Sequence, residues 1–513
     1  MIEQNCMEEV KEEIKTEIKT EPAMEAAVKN KSRVEKINEH FSAIGLATLV
    51  FAVFYTFCLY QNLVGITFPL FVGGVYVYFL FCMKQLEILM KKDAWFYMGS
   101  SLLLGISTFC TDSLPIQIFN FMGILLLICS FMVHQVYDDR KWDFSKYLGT
   151  VAYTAIASIL HIFQPFIHLN HFLKKRSKKE NSKGKYVVYG LFITVPLLII
   201  VMGLLTKADI VFNQIFIKAY KQLDLIDKDV FGVISLTIFA FFASYSFLCS
   251  VVSKNISEEM KEKRTAEPVI AITFTSVLTS VYLIFCTIQV FYLFIGGLKL
   301  PEGYSYADYA RSGYFQLLFV CLLNLVMVLI CLHYFREHKV LKVILTMICG
   351  CTFIMIISSL YRMLLYINAY QLTFTRVLVL WSLLVLNILL IGIVIYIFKN
   401  EFSLFRFCII VVSVSYMCLS VSHQDYWIAK YNVAATMNHA TETDRNYLYQ
   451  LSADAAPIVI SLDYNMEEKD DYTTKFYFEN RDSYLERIQS EGEELSIRSF
   501  NLSKWIAYRE AVK

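Results

Sequence analysis

Charged residues are scarce in this chain. Only 18% of its 513 residues are Asp, Glu, Lys or Arg, whereas a soluble globular protein averages about 25%. The charges crowd into residues 1–40, 137–185, 253–267 and 423–513, and long apolar runs separate these segments. A helix needs roughly 20 apolar residues to cross a bilayer, and its backbone polar groups must be satisfied without water. The sequence therefore excludes an ordinary soluble protein and predicts an all-α, polytopic membrane helix bundle.

The motifs of common enzyme classes are absent as well. The sequence has no GxxxxGK[ST] phosphate loop, no GxGxxG after a strand, no HExxH and no GxSxG. The longest predicted inside segment, 137–185, is too short for the ATP-binding domain of a sensor kinase. The sequence therefore favours a protein that is not an enzyme, and it indicates no catalytic residue, cofactor or metal. The formal net charge of +2 argues neither for nor against nucleic acid, and we expect none as a partner.

The 13 cysteines give no sign of metal or redox chemistry. All except Cys6 lie in or beside apolar runs, where a free thiol behaves as a small hydrophobic group. No cysteine follows His423, so the C-terminal region uses no disulfide. We interpret the cysteines as helix-packing residues.

Eleven apolar runs are predicted to cross the membrane, near 41–60, 63–83, 94–112, 115–136, 186–206, 229–252, 269–295, 314–335, 341–361, 377–398 and 403–422. Together they predict a transmembrane domain at 41–422. Residues 1–40 are predicted to form a flexible cytoplasmic arm, and residues 423–513 a small soluble domain made of helices. No cleavable signal peptide is expected, because residues 1–39 are polar and rich in Glu and Lys.

Orientation follows from the basic residues, which are enriched in cytoplasmic loops. A cytoplasmic N-terminus and eleven spans place 22 Lys and Arg residues in inside loops and only 8 in outside loops. A further apolar stretch, 147–169, is long enough to cross, but a crossing would move the basic run 173–185 to the outside. We therefore interpret 147–169 as interfacial or re-entrant. The C-terminus is then expected on the extracytoplasmic side of the cell membrane.

Residues 207–228 have a helical pattern outside the predicted spans. One face of this segment carries Phe212, Phe216, Tyr220 and Leu223. The pattern favours an amphipathic helix that lies on the membrane, or equally one that packs on neighbouring spans.

The tail is predicted to contain three helices. Asp425 and Asp444 are candidate caps for the first two, which would form a helical hairpin with the second running towards Pro457. A last helix is expected to begin near Asn501 or Ser503.

Six ordered motifs carry a resemblance to a known family. Three adjoin predicted spans: LLTKADIVFNQIF (204–216), YADYARSGYFQLL (306–318) and SSLYRMLLYINAYQLTFTRVLVLW (358–381). Three lie in the tail: YWIAKYN (426–432), YLYQLSADAAPIV (447–459) and NLSKWIAYREA (501–511). Over about 45–513 the chain resembles the bacterial membrane-protein family called domain of unknown function 4173, a relative of family 4153. Gln371 stands where that family has the glycine of Tyr-Gly-Leu-Thr, which leaves the backbone role of this glycine open here.

The resemblance implies a polytopic membrane protein with a helical tail, and it supplies no reaction, substrate or cofactor. Its recurrent polar positions are, in this sequence, Asp209, Tyr309, Arg311, Gly313, Tyr370, Thr373, Arg376, Asn432 and Asp454. Most of them fall on the predicted outer side. We therefore select as a candidate ligand or partner site Asp209, Asp308, Arg311, Arg362, Tyr370, Arg376 and Asp454. Its arginines would bind a carboxylate or phosphate group, or its aspartates would pair with them as a structural clasp.

These observations favour a non-enzymatic protein of the bacterial cell envelope, embedded in the lipid bilayer, whose outer face binds an envelope protein or an anionic ligand. A transporter or channel for a lipid or solute is the alternative, and it would need Gln289, Asn324 or Asn387 to line a continuous polar path. Buried amides commonly bridge helices instead. An enzyme acting on a lipid-linked substrate is a third hypothesis, for which the sequence offers no carboxylate or His pair.

Overall fold

A computed structural model describes residues 33, 35–139, 142, 144–176, 205–215, 228–253, 264–291, 306–399, 402–439, 446–462 and 471–513, with isolated positions at 190, 194, 198 and 201. Nearly all of the predicted arm 1–40, and most of the predicted segments 186–206 and 207–228, lie outside the described residues. The described part is helical and contains no β-strand; its one isolated β-bridge joins Ala266 to Phe335.

The membrane region contains helices α1 to α12 in chain order. The first six are α1 (Phe41–Leu59), α2 (Thr67–Gln85), α3 (Ala94–Cys110), α4 (Leu114–Val136), α5 (Phe144–Leu160) and α6 (Gln164–Arg176). The next six are α7 (Lys228–Ser253), α8 (Pro268–Gln289), α9 (Tyr306–Tyr334), α10 (Lys339–Tyr370), α11 (Phe374–Phe398) and α12 (Leu404–Val421). The C-terminal region contains α13 (Gln424–His439), a 3₁₀ turn at Ala453–Ala455, α14 (Ala456–Val459), α15 (Asp471–Glu493) and α16 (Leu502–Val512).

Nine of these helices are long and apolar enough to cross a membrane: α1, α2, α4 and α7 to α12. They overlap nine of the eleven predicted spans. Helix α3, at the predicted span 94–112, is apolar but has only 17 residues. The remaining predicted span, 186–206, falls mostly outside the described residues. The protein is therefore an all-α, polytopic helix bundle, and the predicted fold class is confirmed.

Two apolar cores hold the bundle together. The first is built by α1 to α5 with α7, and Tyr245 is fully buried in it. The second is built by α8 to α12, with Leu345 fully buried. Helix α12 joins the two halves, because the Ser107 hydroxyl in α3 donates to the carbonyl oxygen of Ser420 at 2.8 Å. The Ser420 hydroxyl in turn donates to the amide oxygen of Asn120 in α4 at 2.6 Å. Such polar bridges between spans take the place of the hydrophobic effect, which lipid removes.

One end of the bundle is covered by α13 to α16 and the connecting residues 446–462, which together we call the cap. Arg498 of the cap donates to the carbonyl oxygen of Tyr60 after α1, at 2.9 Å. Asn432 of the cap bonds to the backbone of Leu372, between α10 and α11, at 2.8 Å. We call this the cap end of the bundle.

The opposite end is formed by the starts of α1 and α8 and the ends of α4 and α9. Arg33, ahead of α1, donates to the carbonyl oxygen of Val136 at the end of α4, at 3.1 Å. The backbone N–H of Ala266, ahead of α8, bonds to the carbonyl oxygen of Tyr334 at the end of α9, at 3.1 Å. The chain ahead of α1 and the C-terminal cap therefore lie at opposite ends of the bundle.

The stretch 147–169 forms two helices instead of one. Helices α5 and α6 are bent by 61° at their junction, the geometry of a broken span or a re-entrant loop. Tyr147 of α5 packs on Phe405 at the start of α12, with ring centroids 4.2 Å apart. Phe172 of α6 packs on Phe41 at the start of α1, at 5.7 Å. Both ends of the bent pair thus lie opposite to the cap, which favours the interfacial or re-entrant interpretation; it stays a prediction.

The cap agrees with the predicted tail helices at α13 and α16. Asn501 caps α16, since its side chain accepts from a backbone N–H in the first turn. The continuous helix predicted after Asp444 is not present over residues 449–452. The chain turns there, and the N–H and the hydroxyl of Ser452 both donate to the Asp425 carboxylate, at 3.4 and 2.6 Å, so that this N–H bonds to a side chain instead of a helical carbonyl oxygen. The sequence pattern did not predict α15.

Candidate functional site

Buried polar contacts fasten the cap to the loops of the bundle. The side-chain amide of Asn62, between α1 and α2, donates to the carbonyl oxygen of Arg498 at 2.8 Å and accepts from the N–H of Gly65 at 3.0 Å. A Cβ atom on Gly65 would collide with the Arg498 carbonyl oxygen, so this approach requires glycine. The Asn432 side chain bonds to both the N–H and the C=O of Leu372, at 2.8 and 2.9 Å. The cap is therefore docked by specific hydrogen bonds as well as by apolar packing.

Asp454 lies at the centre of this junction. Its fully buried carboxylate accepts from the hydroxyls of Thr111 and Ser503 and from the backbone N–H of Asp112, at 3.0 Å in the last case. His423 Nδ1 lies 3.6 Å from the same carboxylate. These partners belong to the α3–α4 loop, the α12–α13 link and α16. One carboxylate thus joins three separate parts of the chain, through bonds worth about 1.5–3 kcal/mol each.

Two more aspartates lie beside it, and we call the group the carboxylate clasp: Asp112, Asp425 and Asp454. The Asp112 carboxylate accepts from the backbone N–H of Ala453 at 3.1 Å and lies 3.4 Å from the ammonium of Lys504. The Asp425 carboxylate accepts from the Ser452 hydroxyl at 2.6 Å. The Asp112 carboxylate thus binds the backbone N–H next to Asp454, while the Asp454 carboxylate binds the backbone N–H of Asp112 itself, 342 residues away.

The clasp carboxylates differ in their pKa values. Burial raises the pKa of Asp112, although the nearby Lys504 opposes this effect. Burial also raises the pKa of Asp425. For Asp454 burial acts in the same direction, but the nearby His423 imidazole and the hydrogen bonds from Ser503, Thr111 and the Asp112 N–H outweigh it and hold the pKa below 3.8. The contact with Asp454 raises the pKa of His423 above 6.5. Among the three clasp carboxylates, Asp454 is therefore the one whose surroundings lower the pKa.

The Asp454 carboxylate accepts its hydrogen bonds from groups of the protein itself. Among the described residues, no group of His, Cys, Asp and Glu has the arrangement of a metal site. We therefore interpret the clasp as a structural junction between the cap and the bundle. The partners of Asp454 in the clasp are hydroxyl, backbone and imidazole groups, whereas the sequence predicts arginines as its partners.

Arg376 and Tyr370, both predicted site residues, meet at the end of α10. The Arg376 guanidinium donates to the carbonyl oxygens of Tyr370 and Gln371 and lies 4.3 Å over the Tyr366 ring. These carbonyl groups are left without donors where a helix ends, so the arginine caps α10. Gln371 itself takes φ 70° and ψ −177°, a conformation that is nearly restricted to glycine. The glycine of the related motif would suit this backbone.

Arg362 lies inside the bundle, about two helical turns before the end of α10 where Arg376 and Tyr370 meet. It is buried in α10 and donates to the amide oxygen of Gln289 in α8 at 3.0 Å, and the Ser358 hydroxyl donates to the same oxygen at 2.7 Å. In the same bundle, Asn324 of α9 donates to the hydroxyl of Thr352 in α10 at 3.1 Å. These groups bridge neighbouring helices, which is the packing role of buried amides.

The remaining predicted residues lie elsewhere. Asp209 is exposed and caps a helical turn, because its carboxylate accepts from the N–H of Phe212 at 2.8 Å. Asp308 and Arg311 lie in the first turns of α9, and their side chains fall outside the described residues. Asn387 is half-buried in α11.

A polar pocket of about 400 Å³ opens on the cap, between the turn at 446–450 and α15. The Arg487 guanidinium lies 4.9 Å over the Tyr484 ring and donates to the carbonyl oxygen of Leu451 at 2.8 Å, which fixes it at the pocket wall. The volume falls within the range of small-molecule sites, about 300–1,000 Å³. The lining residues are Asn446, Tyr449, Gln450, Asn480, Ser483, Tyr484 and Arg487.

Sequence reasoning missed Asp112 and the pocket face of α15. The predicted span 94–112 includes Asp112, although Thr111 to Ser113 precede Pro115 in a pattern typical of a helix start. In α15, Tyr484 and Ile488 are buried at a spacing of four, but the charged residues between them obscure this periodicity.

The fold defines an integral, polytopic membrane protein made of α-helices, with a helical cap on one end. A family model described as a domain of unknown function, DUF4153, matches residues 98–462. The match covers more than half of the chain, and the protein belongs to this family. The related family 4173, which the motifs resemble, is not confirmed by this match. No curated protein and no solved structure matches the chain.

Proposed function

We propose that this membrane protein belongs to the bacterial cell envelope and binds a polar, anionic ligand in the pocket of its cap, which faces the outside of the cell. The observation that carries the proposal is the pocket itself. It combines amide, hydroxyl and aromatic groups with one fixed guanidinium, and it opens on the part of the molecule beyond the membrane helices.

The distribution of basic residues supports the orientation. The loops 60–66, 111–113 and 371–373, at the cap end, contain no Lys or Arg. The loops at the opposite end carry Lys91, Lys92, Arg264, Arg336 and Lys399. Because basic loops stay in the cytoplasm, this asymmetry supports an extracytoplasmic cap.

The lining supports the class of ligand. Asn446, Gln450 and Asn480 can each donate and accept hydrogen bonds, which suits a ligand rich in hydroxyl or amide groups. Arg487 adds a planar donor that matches a carboxylate or phosphate. Both guanidiniums donate to the backbone, Arg487 to one carbonyl oxygen and Arg376 to two, but only Arg487 lines a pocket in the described part of the chain together with side-chain amides.

The transport alternative gains no support from the buried amides. Gln289 and Asn324 both bond to α10, as expected for residues that join helices.

The pocket can be tested by saturation-transfer NMR on the full-length protein in lipid nanodiscs. The probes are glucuronate, glucose 6-phosphate and N-acetyl-alanyl-alanine as anions, with glucose as the neutral comparison. We expect at least one anionic probe to bind roughly tenfold more tightly than glucose, because one charge-assisted hydrogen bond is worth at least that factor. Asn480→Ala and Arg487→Gln should each remove this binding.

Gln489→Ala is the matched control, since Gln489 is exposed on another face of α15. Failure of all three anionic probes would overturn the proposal. So would an equal loss of binding in Gln489→Ala. Loss of binding in Asn324→Ala, at normal membrane abundance, would favour transport instead.

A further inference from the structure

Helix α13 presents two aromatic rings and a lysine on one exposed face. Trp427, Lys430 and Tyr431 follow the spacing i, i+3 and i+4, which places them side by side. Trp427 is 55% exposed and Tyr431 42%, and the Lys430 ammonium lies 5.1 Å from the centre of the Trp427 indole. The other face of the helix contributes Ile428 and Ala429 to the core of the cap. The exposed face of α13 therefore combines two aromatic rings with one cation, as the headgroup level of a membrane favours.

This face lies at the level where the membrane helices end. Only Ser422 and His423 separate α13 from α12, and two residues reach at most about 7 Å. Farther along α13, Asn432 bonds to Leu372 in the loop that joins α10 to α11. The ends of three membrane-crossing helices therefore hold α13 at the surface of the bilayer.

Other exposed aromatic residues occur at the same end. Tyr370 ends α10 and is 45% exposed. Trp505 of α16 packs on Phe500, which packs on Phe109 at the end of α3 with centroids 6.0 Å apart. The Arg509 guanidinium lies 5.0 Å over the Trp505 ring, a second pairing of a cation with an indole. Trp and Tyr are enriched at the headgroup level of membranes, where basic side chains reach the phosphates.

We propose that α13 docks in the phospholipid headgroup layer, with Trp427 and Tyr431 among the headgroups and the Lys430 ammonium bonded to a lipid phosphate. Charge complementarity favours this occupant, because the one acidic residue of α13, Asp425, is buried in the clasp. Docking would hold the cap on the membrane surface, whether or not the pocket binds a ligand.

Tryptophan quenching tests the insertion. The full-length protein is placed in phosphatidylcholine vesicles that contain a lipid with a nitroxide on its headgroup. The difference between the native protein and Trp427→Phe isolates the emission of Trp427. We expect the headgroup nitroxide to quench this component strongly. The corresponding difference for Trp142→Phe, which removes a buried indole, should show little quenching.

Amide hydrogen exchange tests the phosphate contact. Exchange of α13 should be about fivefold slower in vesicles that contain phosphatidylglycerol than in phosphatidylcholine alone, as one basic residue near an anionic surface implies. Lys430→Gln should remove this difference, whereas Lys513→Gln at the exposed C-terminus should keep it.

Three results would overturn the inference or its phosphate contact. Quenching of Trp427 by iodide in the water, but not by the headgroup nitroxide, would show that α13 faces the solvent. Quenching by neither agent would indicate that another protein chain covers the face. Retention of the lipid dependence in Lys430→Gln would overturn the assignment of the phosphate contact.

Discussion

Replacement of Gln371 by glycine should stabilise the protein. Gln371 takes φ 70° and ψ −177°, which costs a residue other than glycine about 1–3 kcal/mol. Its N–H bonds to the carbonyl oxygen of Ile367 at 2.8 Å, and its carbonyl oxygen accepts from Arg376. Glycine retains both backbone groups. The side-chain amide oxygen of Gln371 is buried and has no hydrogen-bond partner within the described ranges, so its removal breaks no bond.

Two free energies of opposite sign set the magnitude. Relief of the strained backbone contributes about 1–3 kcal/mol. The greater freedom of glycine in the unfolded chain takes back about 0.4–1 kcal/mol. The difference is about 0–2.6 kcal/mol, so we expect a net stabilisation of about 1 kcal/mol. One kcal/mol corresponds to a rise in Tm of roughly 2–4 °C for a domain of about 200 residues.

The assay is thermal unfolding of the purified protein in one detergent, with the scan rate held constant. Gln371→Ala is the matched control, because it removes the same amide but keeps a Cβ atom. The alanine variant should unfold at or below the temperature of the native protein. Equal stabilisation by both variants would show that the buried amide, and not the backbone, carried the cost. A lower Tm for the glycine variant would refute the argument altogether.

Two further predictions concern the clasp and the orientation of the cap. The pKa of His423 is higher in the folded protein than in the unfolded chain, where it is about 6.5. Protonated His423 therefore stabilises the fold below about pH 6.5, and this stabilisation is lost as the pH rises through the folded pKa. Asp454 stays ionised over this window, because its pKa is lowered. The rate at which a protease releases the cap, divided by the rate for His423→Gln, should therefore be higher at about pH 8.5 than at about pH 6. A ratio of these two rates that does not change with pH would contradict the prediction. A reporter that is active only in the cytoplasm, fused after Lys513, should be silent, and strong activity would put the cap inside the cell.

The sequence alone determined the helices of the bundle. A run such as 377–398 contains no charged residue and is long enough to cross a bilayer. Lipid offers no partner for backbone polar groups, so such a run must form a helix whatever its neighbours are. The start of α16 is equally local, because the Asn501 side chain bonds within the first helical turn. These features depend on interactions over a few residues, which a sequence pattern records directly.

Of the candidate site, the sequence singled out Arg376 and Asp454, but not what they contact. The sequence predicts that Arg376 binds an anion or pairs with an aspartate, and the structure shows it at the carbonyl groups that end α10. Asp454 was expected near arginines, and its partners are hydroxyl, backbone and imidazole groups. Arg376 and Asp454 stand out in the sequence because they are charged. Their partners depend on which helix ends lie beside them in the folded protein.

The clasp, the pocket and the strained loop depend on how the helices pack. Asp112 and Asp454 are 342 residues apart, and they meet because the cap folds back onto the α3–α4 loop. The pocket requires α15 to lie against the turn at 446–450. The φ of Gln371 follows from the way that α11 and Asn432 hold the adjoining Leu372. A hydrogen bond needs its two groups within about 3 Å, and for residues so distant in the chain the packing of the helices sets that distance.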